Sequence, residues 1–128
     1  MKFKLIFKRL VLSNLFVSLI LLAITLLETE SSQVLDFNNS VAVNDSFMLL
    51  ALVWIFAFFV SLYFIYKFKK IGRQLFFYVF VIGIIMIVFG GPIAFDAASY
   101  ALDSLATAIS GAIIVLSYFS PLNKEFKK

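Results

Sequence analysis

The eleven Lys and Arg residues of this chain fall into three short clusters, separated by nearly uncharged runs about 18 to 21 residues long, the length that crosses the hydrocarbon of a bilayer. The clusters are Lys2, Lys4, Lys8 and Arg9; Lys67, Lys69, Lys70 and Arg73; and Lys124, Lys127 and Lys128. The acidic residues Glu28, Glu30, Asp36, Asp45, Asp96 and Asp103 lie in or beside the other connections, and Glu125 alone joins the basic side. Such an alternation leaves few folds open.

Hydrophobic residues make up 63% of the chain and the mean hydropathy is +1.07, against roughly 45 to 50% apolar content in soluble domains, so lipid is the expected solvent. The runs are continuous rather than alternating, which selects helices over a β-barrel. The expected fold is an all-α membrane protein, a four-transmembrane-helix antiparallel bundle forming one domain over residues 1–128. Its spans run over about 10–27, 47–66, 75–91 and 97–119, with an outer loop at 28–46. The net charge of +4 reflects Lys and Arg at membrane ends, where they set orientation and meet anionic headgroups, and does not indicate nucleic acid.

Span one follows a basic segment, as a secretory signal would, but its apolar run is long for one and Leu26-Leu27-Glu28-Thr29-Glu30 lacks a small-residue cleavage pattern; retention is expected. The positive-inside rule places both termini and the Lys67–Gln74 turn in the cytoplasm, with 28–46 and 92–96 outside. Trp54, Tyr63 and Tyr66 suit membrane interfaces, and the Phe-rich second span reads as lipid-facing. Gly90, Gly91 and Pro92 are expected to end span three. Two glycosylation triplets, Asn38-Asn39-Ser40 and Asn44-Asp45-Ser46, fall in the outer loop and carry little weight. The abundance of Phe, Ile, Lys and Asn matches an AT-rich bacterial genome, which points to a bacterial inner membrane.

Polar chemistry concentrates in span four. Asp96, Asp103, Ser110 and Ser117 recur every seven residues, with Ser99, Ala106 and Thr107 at neighbouring positions of the same stripe. Span one carries Asn14, Ser18 and Thr25 in a similar stripe. If the two spans run in opposite directions, Asn14 comes level with Ser110 or Ser117, and Thr25 with Asp103. The two faces are therefore expected to meet, each hydroxyl bonding either across the seam or to its own helix at the i−4 carbonyl. Gly83 and Gly90 in span three and Gly111 in span four are candidate close-approach positions. Asp103, the one ionisable side chain expected inside the hydrocarbon, is a candidate structural anchor, ion site or partner contact.

The residues that are missing narrow the function. With neither His nor Cys, the chain cannot ligate haem through imidazole or build a zinc or iron site of the usual kind, and no thiol redox chemistry is open to it. Asp96 and Asp103 stand on one helix, two turns apart, unlike the facing carboxylates of an aspartyl protease. The size is similar to that of some small multidrug exporters and four-helix quinone-linked thiol oxidoreductases. The mid-span Glu of the former and the cysteine pairs of the latter are absent.

The expectation is a non-catalytic membrane protein without cofactor or metal, whose partners are the lipid bilayer and another membrane protein or further copies of itself. A homo-oligomeric transporter or channel using Asp103 is the first alternative, and an immunity-type protein that blocks a pore-former the second.

Overall fold

The computed structural model describes residues 2–27, 31–41, 45–90 and 93–127. Over these the chain is helical: α1 (Lys2–Leu26), α2 (Ser32–Ser40), α3 (Asp45–Tyr66), α4 (Lys70–Phe89) and α5 (Ala97–Phe119), followed by a 3-10 segment, Pro121–Lys127. No strand occurs among the described residues. Helices α1, α3, α4 and α5 are each long and apolar enough to cross a membrane. The expected features at Glu28, Glu30, Asn44, Gly91, Pro92 and Lys128 lie outside the described residues.

The spans begin earlier than hydropathy alone indicates. Helix α1 starts at Lys2 rather than near Leu10, because Lys and Arg are good helix formers whose long stems lie along apolar surface while the charged heads reach water. Helix α4 starts at Lys70 rather than Leu75 for the same reason, which shortens the turn before it to Lys67, Phe68 and Lys69. Helix α5 occupies 97–119, as its pattern predicts. The outer connection, expected as a loop, contains the nine-residue helix α2.

The turn between α3 and α4 shows how the chain is held at this end. Lys69 N–H donates to the Phe64 carbonyl at 3.0 Å and Phe68 N–H to that of Ile65 at 3.0 Å, the paired bonds of a Schellman cap. Phe68 takes the left-handed position usually given to glycine, with φ 55°. Its ring offsets that conformational cost by packing 5.6 Å from Phe7 and 5.2 Å from Phe126, centroid to centroid. The following glycine, Gly72, permits α3 and α4 to touch backbone to backbone. A Cβ there would stand 2.5 Å from the Phe64 carbonyl carbon.

Helix α3 packs most extensively on α4, and α1 on α5, with lesser contacts between α1 and α3 and between α4 and α5. One buried apolar cluster joins Phe7, Val11, Leu62, Ile65, Phe76, Ile113, Leu122 and Phe126. All of these lie toward the basic ends of the spans, so the core is displaced to that end. Phe56, Ile87, Val88 and Phe89, toward the other end or the outer faces, remain largely exposed, as lipid-facing side chains do. The aromatic run of α3 is divided in the same way: Phe56 and Tyr63 face outward, while Phe58 and Phe59 pack on the core. Trp54 does not act as a free interfacial ring. Its indole stacks 5.7 Å from Phe58, its N–H donates to the Val79 carbonyl at 2.7 Å, and a Cβ on Gly83 would stand 2.7 Å from it.

Candidate functional site

Helix α5 carries its polar residues on two sides, and the two sides have different surroundings. On the inward side, Ser99, Ser110, Ile113 and Ser117 are buried. Asn14 of α1, 0% exposed, donates its side-chain amide N–H to the Ser110 hydroxyl at 3.0 Å. The 96-residue separation makes this the polar bond that ties the first span to the last. Ser18 is half-buried on the same helix as Asn14. Among the described residues the Asn14 carbonyl oxygen has no hydrogen-bond partner, so this buried amide is only partly satisfied.

Thr25 and Ser117 of these two stripes, and Ser120 beyond them, turn to their own helices. Thr25 donates to the Leu21 carbonyl at 3.0 Å and does not reach Asp103. Ser117 donates to Ile114 at 2.8 Å, and Ser120 donates to Leu116. These three hydroxyls back-bond as serine and threonine commonly do, whereas the longer Asn14 amide bridges the gap to the next helix.

The outward side of α5 is set out differently. Asp103, Ser104, Thr107 and Ala108 are exposed, and nothing lies within 4 Å of a Cβ built on Gly111. The seven-residue recurrence thus divides between the two sides. Asp103 and Thr107 belong to the exposed side, and Ser99, Ser110 and Ser117 to the buried one. Gly111 is not a close-approach residue within this chain, whereas Gly83 faces Trp54 and Gly90 faces the Phe47 ring, whose nearest atom would stand 2.8 Å from an added Cβ. Asp103 lies six residues into α5, about 9 Å along the axis of a helix long and apolar enough to cross a membrane, and is exposed. Among the described residues no group of acidic residues is arranged to hold a metal ion.

Two polar arrangements lay hidden in the sequence. At the acidic end, Ser31 donates its backbone N–H at 2.7 Å and its hydroxyl at 2.9 Å to the Asp96 carboxylate. Asn38 of α2 binds the backbone of Ala94 on both sides, donating to its carbonyl at 3.0 Å and accepting from its N–H at 2.9 Å. Asp96, expected as part of the α5 stripe, thereby ties the segment before α2 to the start of α5.

At the basic end, Arg73 is 8% exposed. Its guanidinium donates to the Ser117 carbonyl at 3.2 Å and to the Asn123 side-chain oxygen, and lies 4.4 Å from the Tyr118 ring centroid and 5.6 Å from that of Phe126. A planar, weakly hydrated cation suits such an aromatic cage better than the ammonium of the neighbouring lysines. The signal was periodic: Arg73, Phe76 and Val79 recur at three-residue steps along one face of α4, and all three are buried.

Comparison of the chain with protein-family models, with curated proteins and with solved structures gives no match.

Proposed function

We propose that the chain is a non-catalytic integral membrane protein of the bacterial inner membrane that assembles with another membrane protein through the outward side of α5. In this reading the four spans form an antiparallel bundle with both termini and the Lys67–Lys69 turn in the cytoplasm. The three basic clusters support that orientation, since short connections rich in Lys and Arg stay on the cytoplasmic side. The observation that carries the assembly reading is the exposure of Asp103 and Thr107 beside the open surface at Gly111. A carboxylate facing lipid within a span costs about 2.5 to 3.5 kcal/mol at mid-bilayer and less toward the interface, and a second helix that supplies donors removes part of that cost. Small residues beside it let the second backbone come close.

Affinity purification of the tagged chain from its native membrane in mild detergent tests the reading. One further membrane polypeptide at near-stoichiometric amount is expected, and it should be lost when Asp103→Leu and Gly111→Leu are combined. Recovery of the single polypeptide alone would contradict it.

The same exposed carboxylate supports a second reading, in which copies of this chain surround a shared pathway lined by Asp103 and act as a small transporter or channel. Ion flux into liposomes that contain only this protein, abolished by Asp103→Asn, would favour that reading. Absence of flux from a homogeneous, folded preparation would dismiss it.

A further inference from the structure

Two adjoining cavities at the basic end share Lys67. The first, about 330 Å³, is a side groove between α1 and α3 walled by Val11, Leu12, Leu15, Phe59, Leu62 and Tyr66. The second, about 390 Å³, lies at the turn and is lined by Lys67, Phe68, Lys69, Lys70, Ile71 and Glu125. The acidic member of this set, Glu125, is engaged by Lys4 at 2.7 Å, so the three lysines dominate the charge of the second cavity.

Aromatic rings position the cations where the two cavities meet. The Lys8 ammonium lies 4.9 Å from the Tyr66 ring centroid and 5.8 Å from that of Phe68. The Lys67 ammonium lies 5.9 Å from the centroid of Tyr63. The resulting sequence of environments, apolar along the spans and cationic at the membrane surface, is that of a lipid molecule with the charge sign reversed.

The geometry points to a binding site for one anionic glycerophospholipid, its acyl chain in the α1–α3 groove and its phosphate against Lys67, Lys69 and Lys70. Charge complementarity selects the occupant. A zwitterionic lipid would set its own cation among the lysines, whereas an anionic one presents only negative charge to them. The site is separate from the α5 surface, so it stands or falls independently of the assembly reading.

Native mass spectrometry tests it, with the full chain reconstituted in bilayers of equal phosphatidylcholine and phosphatidylglycerol and then extracted in mild detergent. A one-to-one adduct is expected, with phosphatidylglycerol favoured on the order of a hundredfold, about fivefold for each of the three lysines. Combining Lys67→Gln, Lys69→Gln and Lys70→Gln should abolish that preference. Removing the same charge at the tail, by Lys124→Gln, Lys127→Gln and Lys128→Gln, should leave it unchanged.

Leu12→Trp, which fills the groove from its exposed rim and touches no charge, should lower retention of the lipid. Lys67→Gln alone leaves Lys69, Lys70 and Arg73 to hold the orientation of the turn. It should reduce the preference about fivefold, and it carries the test if the triple variant does not insert correctly. Equal retention of both lipids by the unaltered chain would overturn the proposal, as would a loss in the tail variant as large as in the turn variant, or full retention by Leu12→Trp.

Discussion

At the basic end of the molecule, Phe7, Phe76 and Phe126 close into a core beside an arginine that is itself roofed by aromatic rings. At the acidic end the same four spans leave Ile87, Val88 and Phe89 exposed. The acidic end is joined at its rim instead, where Ser31 and Asn38 bind Asp96 and the backbone of Ala94. The buried seam between α1 and α5, centred on Asn14 and Ser110, lies between these two regimes. Within lipid no hydrophobic force drives helices together, so spans stay apart unless shape or hydrogen bonding joins them. The basic end, near the headgroups and covered by the Pro121–Lys127 segment, can also bury apolar surface away from water. The difference teaches where the chain holds itself together and where its apolar side chains stay uncovered.

Four experiments probe that division, and unfolding from mild-detergent micelles by added denaturing detergent, followed by the fluorescence of the single tryptophan, Trp54, provides the scale. Phe126→Ala opens the centre of the basic-end core and should cost about 3 to 5 kcal/mol, the largest effect of the four. A loss under 1 kcal/mol would mean that the terminal segment is an ornament and the core lies elsewhere. Arg73→Lys keeps the charge but loses the planar stack and the Nη1 group that donates to both Ser117 and Asn123. It should cost about 2 kcal/mol, and equality with the unaltered chain would show that charge alone holds the site.

Asn38→Ala removes both bonds to Ala94 and should cost about 1 kcal/mol. Its more telling readout is faster amide exchange confined to 31–41 and 93–100, because the rim is a local clasp. Exchange that spread to the basic end would break the proposed separation of the two regions. The smallest effect belongs to the seam. A double-mutant cycle of Asn14→Ala and Ser110→Ala should give a coupling of about 0.6 kcal/mol, and a coupling indistinguishable from zero would remove Asn14 as the tie between the first and last spans.

How much of this was legible in the residues depends on the length scale of the signal. The spans stand out because eighteen or more apolar residues leave a continuous trace, and α5 ends where Pro121 and the tail interrupt it. The meeting of Asn14 with Ser110 follows from a seven-residue recurrence and a matching depth in two spans. That recurrence alone did not separate Asp103 and Thr107, which face outward, from Ser99, Ser110 and Ser117, which face inward. Thr107 lies about 80° around the helix from Ser99 and so turns off the buried face, whereas Asp103 lies only about 20° from Ser110, and spacing along the helix does not distinguish those two.

Helix α2 and the clasp at Asn38 have no periodic trace. They depend on where two separate connections meet, which a linear reading of 28–46 does not contain. The cage around Arg73 was concealed for a different reason: a basic cluster at a membrane end is a topology signal first. Only the inward spacing of Arg73 with Phe76 and Val79 sets it apart from Lys67, Lys69 and Lys70.

The proposed division between a self-sufficient basic end and an α5 surface that takes a partner has one direct test. The chain contains no cysteine, so a single thiol or a photoreactive residue can be placed at will. With a photocrosslinking residue at Thr107 in cells that express the protein at native level, illumination should yield one discrete adduct with a second membrane polypeptide or a second copy of the chain, while the same residue at Leu52, exposed on α3, should yield none. A Thr107 probe that forms no adduct, or one that behaves no differently from Leu52, would contradict the account.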